Sequence, residues 1–355
     1  MPKLRKYIIQ ALVPILSLTL LLSACGTSEA SEPNLLDTPY DRGEFVMGTY
    51  VTIRVYDEGK EDTLELAFDR VRELDKMLSS NDTGSQIDTI NQNAGIEPVI
   101  TSDEVFTLIV AAAEYSDVLG GGFDYTIGPL TNLWRIGFDD ARVPEPEEIE
   151  AILPLVSHEL VELNSDVQTV FLTQEGMRLD LGAIAKGYIA DEVIKVLKDN
   201  GVTTSIIDLG GNIVVMGDSP TRETGGFNVG IQDPNSVRNA YIGTLLLRNK
   251  SIVTSGIYER FVEKDGVQYH HLLHPDTGYP FENELASVTI ISDKSIDGDG
   301  LSTTVFAMGL EAGRAYVEGV DNTDAIFITK DNDVYVTSGI EEDFVLTNEE
   351  YNWVK

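Results

Sequence analysis

Cysteine occurs once in the 355 residues, so no disulfide can form within the chain. Positive charge is scarce: 25 Lys and Arg stand against 59 Asp and Glu, a formal charge of −34. Such a balance repels nucleic acid and anionic lipid surfaces, and it obliges any anionic ligand to find a local cation. Past the first residues no apolar run is long enough to span a bilayer. Gly210 and Gly211 follow a predicted strand, but GGNIVVMG lacks the GxGxxG spacing of a dinucleotide-binding turn. What remains is an acidic chain long enough to bury a full core as one large or two modest domains.

The N-terminus is of a different kind. Lys3, Arg5 and Lys6 precede an apolar run from Tyr7 to Leu22 that ends in LSAC, with Cys25 last. This reads as a lipoprotein signal peptide over residues 1–24, with lipid (palmitate) attachment at Cys25. An uncleaved span is the other reading, and about 16 residues interrupted by Pro14 is short for one. Cleavage would leave 331 residues at −37, since the three basic groups go with the leader. Residues 25–42, rich in Ser, Glu, Pro and Thr, are expected to be a flexible tether. Residues 43–355 are expected to form a single folded domain.

Glu44 to Tyr56 alternates, with Phe45, Met47, Thr49, Val51, Ile53 and Val55 on one face, and predicts a half-buried strand. Leu64 to Ser79 shows the three- and four-residue steps of an amphipathic helix. A polar loop is expected over Ser80 to Gly95. A helix should open at Thr101 with Glu104 as its capping box and end at the glycines 120–122. Val143 to Glu150 suits a surface connection. Strands are predicted at Leu160–Leu163, Val170–Thr173, Ser205–Leu209, Asn212–Met216, Phe227–Ile231, Tyr241–Leu247, Tyr258–Glu263, Val267–Leu273, Ala286–Ile291 and Ala325–Thr329. Their short gaps, and the Lys264–Asp265–Gly266 turn, predict an α+β fold with a mainly antiparallel sheet flanked by helices.

Chemistry concentrates in a few segments. In LDLGAIAKGYIAD, from Leu179 to Asp191, Asp180 ends an apolar strand, small residues follow, and Lys186 falls in the first turn of a helix. That junction suits an anion, because helix N-termini offer free N–H groups and a cation there does nothing for the helix itself. An ordinary surface lysine explains the same residue. In DKSIDGDGLSTT, Asp293, Ser295, Asp297 and Gly298 imitate a calcium loop, but Thr304 stands where a bidentate glutamate is needed. Asp299 and Thr303, four apart at the start of a helix running to Leu310, would instead offer two hard oxygens on one face, a set suited to Mg²⁺. An N-cap aspartate and a buried helical threonine are the plainer reading of that pair taken alone. YHHLLHP holds three histidines from His270 to His274. Zinc is one reading; a single general base, with an ordinary pKa near ~6.5 and Asp276 as its orienter, is the other. Phe123 and Asp124, after the glycine turn, could meet a heterocycle, although Phe123 also suits a core.

Met47–Thr49, GGGFDYTIGPLTNLW from Gly120, LDLGAIAKGYIAD, IDLGGN from Ile207, TSGIYER from Thr254, HHLLHPDTGYP from His270 and DGLSTTVFAMG from Asp299 together resemble, in order and spacing, the ApbE-type FAD:protein FMN transferases. The resemblance covers nearly the whole chain that would remain after cleavage of the leader. It implies a T-fold-like α+β fold and a lipoprotein held on the outer side of the cell membrane. It implies that FAD is split at its pyrophosphate, that FMN is joined through a phosphoester to a Ser or Thr hydroxyl of an acceptor redox protein, and that AMP is released with Mg²⁺ required. Asp299, Thr303 and the Ala183 carbonyl would then hold the metal. Met47, Phe123, Asp124, Asp180, Lys186 and His271 would contact FAD, with Lys186 neutralising the leaving AMP and His271 deprotonating the acceptor. Two positions depart from the family pattern. Asn81 stands where many relatives carry a tyrosine, which favours hydrolysis of FAD by water, and His274 replaces an acid or amide. A plain FAD pyrophosphatase and a lipid-anchored solute-binding receptor are the rival readings.

Overall fold

Short apolar strands, most of them alternating, line up into a nine-stranded sheet in this computed structural model, which describes residues 34–355 apart from 119–121 and 224. In chain order the strands are β1 (Leu35–Val46), β2 (Thr49–Asp57), β3 (Val99–Ile100), β4 (Val161–Asn164), β5 (Thr169–Leu172), β6 (Ser205–Leu209), β7 (Ile213–Met216), β8 (Phe227–Gln232) and β9 (Tyr241–Leu247). They continue as β10 (Lys250–Gly256), β11 (Phe261–Lys264), β12 (Val267–His270), β13 (Leu285–Ser292), β14 (Asp324–Thr329), β15 (Asp333–Val336), β16 (Phe344–Leu346) and β17 (Asn352–Trp353). The helices are α1 (Thr63–Leu78), α2 (Gln86–Gln92), α3 (Asp103–Ser116), α4 (Gly128–Trp134), α5 (Pro146–Ile152), α6 (Ala185–Asp199) and α7 (Ser295–Val317). The large sheet runs β1-β2-β6-β7-β10-β13-β14-β15-β17, and every neighbouring pair is antiparallel except β15 with β17. The expected α+β class with a mainly antiparallel sheet is what forms.

The sheet is covered on both faces. Val51, Ile53, Val55, Ile207 and Leu209 pack with α1, α3 and α6, and Val288 and Ile290 pack under Leu301, Val305 and Phe306 of α7. On the other side Ile252, Ile291, Ile326 and Ile328 meet a three-stranded sheet, β16-β9-β8, through Phe227, Val229 and Leu245. β13 is therefore buried at every position, and such strands lose the polar alternation of a half-exposed one.

Several local expectations change. The stretch from Glu44 to Tyr56 is a hairpin instead of one strand: Met47 and Gly48 both turn at positive φ, 58° and 67°, the geometry of a two-residue hairpin turn. Phe45 consequently pairs with Tyr50 and stays 77% exposed while Val51, Ile53 and Val55 are buried. From Leu35 onward the expected tether is strand β1; its earlier part, with the leader and Cys25, lies outside the described residues, as do Gly120 and Gly121. The polar loop contains α2, opened by Ser85, whose hydroxyl accepts from Asp88 N at 2.8 Å. α3 is capped by Ser102 and not by Thr101. The connection after Val143 contains α5, with Pro146 in its first turn and a Glu145/Glu148 capping box. Asp180 lies in irregular chain just before the turn that leads into α6 instead of ending a strand, and α7 opens at Ser295, four residues before Asp299.

Candidate functional site

α6 and α7 have no side-chain cap of their own: the residues before them are Ile184 and Lys294, and neither supplies one. Each helix is capped by an acid from the other. Asp191, on α6, accepts from Ser295 N at 2.9 Å and Ile296 N at 3.0 Å. Asp299, on α7, accepts from Gly187 N at 2.5 Å. The free N–H groups of two helix starts are thus satisfied reciprocally. The exchange needs close approach, which Gly187 permits, because a Cβ there would lie 2.3 Å from Ser295 O.

The same crossing places Lys186 Nζ 3.6 Å from Asp299 Oδ1. Asp299 is 3% exposed, and burial pushes its carboxyl above the usual carboxylate range although Lys186 and the Gly187 N–H oppose the shift. A buried acid facing one cation, with a hydroxyl one helical turn on at Thr303, is a partial oxygen shell. Thr303 and Ala183 line the same cleft as Asp299. Among the described residues no group of three or more His, Cys, Asp or Glu side chains could hold a metal. A resident all-carboxylate cage is therefore not the chemistry here, and one acid plus neutral oxygens fits an ion that completes its shell with water and phosphate.

That cleft has a volume of about 1130 Å³. All nine of the expected site residues, Met47, Phe123, Asp124, Asp180, Ala183, Lys186, His271, Asp299 and Thr303, line it. They come from five separate stretches of chain. Met47 enters from the β1–β2 turn, its N–H donating to Asp75 Oδ2 at 3.2 Å. Asp180 is held by Gly182 N at 2.9 Å and by Thr131 Oγ1 of α4 at 2.7 Å.

Asp124 differs from expectation in what its carboxylate does. Oδ1 accepts from the N–H and hydroxyl of Thr126 at 2.7 and 2.6 Å, and Oδ2 lies 3.1 Å from both the N–H and Nδ1 of His158. The acid is engaged in bracing the loop that presents Phe123. His158, unremarked in the sequence, belongs to the site through this contact and also lies 3.2 Å from Asp117.

The histidine pair points both ways, as a strand end dictates. His270 is buried with Nε2 at 3.0 Å from Phe281 O, whereas His271 faces the cleft. His271 takes its partner from Arg260, whose carbonyl accepts the His271 N–H and lies 3.2 Å from Nδ1. Asp276 is not the orienter; its N–H donates to His274 Nδ1 at 3.1 Å. With Nδ1–H on a carbonyl, Nε2 carries the lone pair. Burial, reinforced by Arg260, His270 and Lys186, brings His271 down to about 4, well below its expected ordinary value. The ring is neutral near pH 7 and so able to accept a proton.

The loop around Asn81 forms part of the wall through Ser79, Ser80, Asn81 and Asp82, and it contributes no aromatic ring. Sequence reasoning missed Asn212, Arg238 and Arg260, which also line the cleft.

A model of the ApbE family matches residues 47–327. The chain is 40% identical over 299 residues to an FAD:protein FMN transferase of Klebsiella pneumoniae, spanning 84% of this chain and 92% of the relative. It is 36% identical over 316 residues to an FAD:protein FMN transferase of Treponema pallidum, spanning 85% and 87%. Among solved structures it is similar to the flavin transferase ApbE of Vibrio cholerae, with a TM-score of 0.75 at 27% identity over 86% of this chain and 99% of that one. It is also similar to an ApbE protein of Thermotoga maritima, with a TM-score of 0.76 at 28% identity over 85% and 98%.

Proposed function

Since the chain belongs to the ApbE family and is an FAD:protein FMN transferase, we propose that it transfers FMN to a Ser or Thr hydroxyl of its acceptor, with Mg²⁺ required and AMP released. The observation that carries this reading is the pairing of buried Asp299 with Lys186 at the junction of two helix starts, inside a cleft large enough for a dinucleotide. Asp299, Thr303 and the Ala183 carbonyl would hold the ion. Bound there, Mg²⁺ supplies Lewis-acid neutralisation of the diphosphate.

The acceptor oxygen forms a bond to the FMN phosphorus as the bond from that phosphorus to the AMP oxygen breaks. His271 Nε2 takes the hydroxyl proton: the ring is neutral near pH 7 and free to accept it, as a weaker base than an ordinary imidazole. Lys186 neutralises charge on the departing AMP. Phe123 and Met47 offer apolar surface to the flavin, and Asp180 offers an acceptor already oriented by Thr131.

The leader supports an enzyme exported, cleaved before Cys25 and lipid-anchored to the outer face of the cell membrane, where redox proteins carrying a Ser/Thr flavinylation motif would be its acceptors. Asn81 favours a second activity at the same site. With no ring from that loop over the flavin, water reaches the phosphorus and FAD is hydrolysed to FMN and AMP. A solute receptor is disfavoured by the antiparallel sheet, since such receptors use doubly wound parallel halves.

The test is co-expression with a candidate acceptor domain and a mass search for a covalent FMN adduct, with an acceptor-free arm that measures AMP release from FAD and Mg²⁺. The adduct should form with wild type and disappear with Asp299→Ala and with His271→Ala. Loss with the first variant alone discards the base, no adduct with any acceptor discards the transfer, and no AMP in the acceptor-free arm discards the hydrolysis.

A further inference from the structure

Asn212 is 1% exposed, follows the Gly210–Gly211 turn at the end of β6, and lines the cleft. Its Oδ1 is fixed: Ser295 Oγ donates to it at 2.6 Å, and Ser251 Oγ donates to Ser295 Oγ at 3.0 Å. Ser295 is the first residue of α7, so the amide is tied to the helix that carries Asp299. Its Nδ2 has no hydrogen-bond partner. The NH₂ lies close enough to Asp299 to favour the charged carboxylate, yet makes no bond of acceptable geometry to it. Turning the amide over would set Oδ1 against that carboxylate, which holds the donor side toward Asp299, itself a lining residue of the cleft.

A buried donor without an acceptor is uncommon and unfavourable, so such groups await a ligand oxygen. The nature of that oxygen follows from the neighbourhood. Lys186 stands 3.6 Å from Asp299, and Arg238 Nη2 lies 4.0 Å from the position a Cβ would take on Gly211. Arg238 also lines the cleft. This end of the cleft gathers donors and cations on a chain that is otherwise strongly acidic. An anionic acceptor belongs there, and the diphosphate is the anionic part of FAD.

We infer that Asn212 is a further substrate-binding residue, whose Nδ2 donates to a non-bridging oxygen of the FAD diphosphate beside Lys186. The inference rests on the flavin-transfer reading. It is tested by binding alone, through quenching of flavin fluorescence in the presence of a chelator, with FAD and with riboflavin, which lacks phosphate. Wild type is compared with Asn212→Leu and with the isosteric Asn212→Asp. FAD should bind about tenfold more weakly to the leucine variant, since one buried donor is lost. The aspartate variant should lose more, because an acceptor replaces the donor. Riboflavin binding should not change. Unaltered FAD affinity in both variants overturns the inference, and so does an equal loss for riboflavin, which would place the donor on the ring system. Should the leucine variant not fold, the aspartate variant decides alone. Failure of the wild type to bind FAD both with chelator and with Mg²⁺ restored would instead sink the flavin-transfer reading beneath it.

Discussion

The two walls of the cleft are built by different means. The helix wall, formed where α6 crosses α7, is buried and doubly fixed: Asp191 and Asp299 cap each other's helices, and Gly187 allows the backbones to touch. The opposite wall is assembled from turns and strand ends: Met47 and Gly48 between β1 and β2, the loop around Phe123 and Asp124, and Arg260 with His271 where β11 and β12 come together. The first wall holds a charge that burial disfavours, whereas the second holds groups kept neutral or braced by backbone carbonyls and internal bonds. On the proposed mechanism, the groups that would handle phosphate sit on the rigid wall, and those that would contact the rest of the substrate sit on the adaptable one.

Replacing Asp299 by Asn should break the helix wall's function without breaking its structure. The folded-state pKa of Asp299 lies above its unfolded value, so its contribution to stability is present at low pH and is lost as pH rises through the folded pKa. Near pH 7.5 the buried charge is a net destabiliser. Asn retains an acceptor for the Gly187 N–H and removes that charge. If Asp299 holds Mg²⁺ as proposed, transfer activity should fall by about a thousandfold or more, because the ion would lose its acid ligand. The melting temperature without Mg²⁺ should rise by about 2 °C, and the difference should shrink as pH is lowered. A variant that melts below wild type at pH 7.5 would mean the carboxylate's capping outweighs its burial.

Gly187→Ala attacks the same wall sterically. The new Cβ would meet Ser295 O at 2.3 Å and Ile296 Cα at 2.7 Å, both backbone atoms that cannot step aside alone. Separation of α6 from α7 should cost about 1–3 kcal/mol in chemical denaturation. It should also weaken Mg²⁺ binding measured calorimetrically, since the Gly187 N–H leaves Asp299. Wild-type stability in this variant would show that the reciprocal caps tolerate a wider crossing.

Much of the helix wall is legible in the sequence, because it is local. LDLGAIAKGYIAD announces a turn and a helix with Lys186 inside its first turn, and the four-residue step from Asp299 to Thr303 fixes two side chains on one face. What is not local is invisible there. The Asp191–Ser295 and Asp299–Gly187 bonds join residues more than a hundred positions apart. β10 lies at the centre of the large sheet, yet KSIVTSG has polar residues at both ends of a short apolar core and does not read as a strand. Its Ser251 begins the hydrogen-bonded line that orients Asn212. On the other wall, alternation through Met47 concealed the hairpin turn, since Thr49 resumes the same parity. His271 was recognised as a residue, but its orienter was sought in adjacent Asp276 when the Arg260 carbonyl comes from across β11 and β12.

The mildest test concerns that second wall. His271 falls to about 4 through burial first and then through the Arg260 charge, with smaller contributions from His270 and Lys186. Arg260→Ala removes the charge but leaves the backbone carbonyl that holds Nδ1. The folded-state pKa should therefore move back toward the unfolded value, by a fraction of a unit. If His271 is the base as proposed, the acid limb of kcat/KM for the free wild-type enzyme should lie near 4 instead of near 6.5. In the variant that limb should shift upward while the plateau near pH 7.5 changes little through this residue, because the ring is neutral there in both proteins. The direction follows from linkage: a cation beside imidazole disfavours its protonated form, and removing the cation restores proton affinity. An NMR titration of His271 reads the same quantity without substrate. A pKa that stays put or falls in Arg260→Ala would remove Arg260 from the causes of the shift and leave burial alone to account for it.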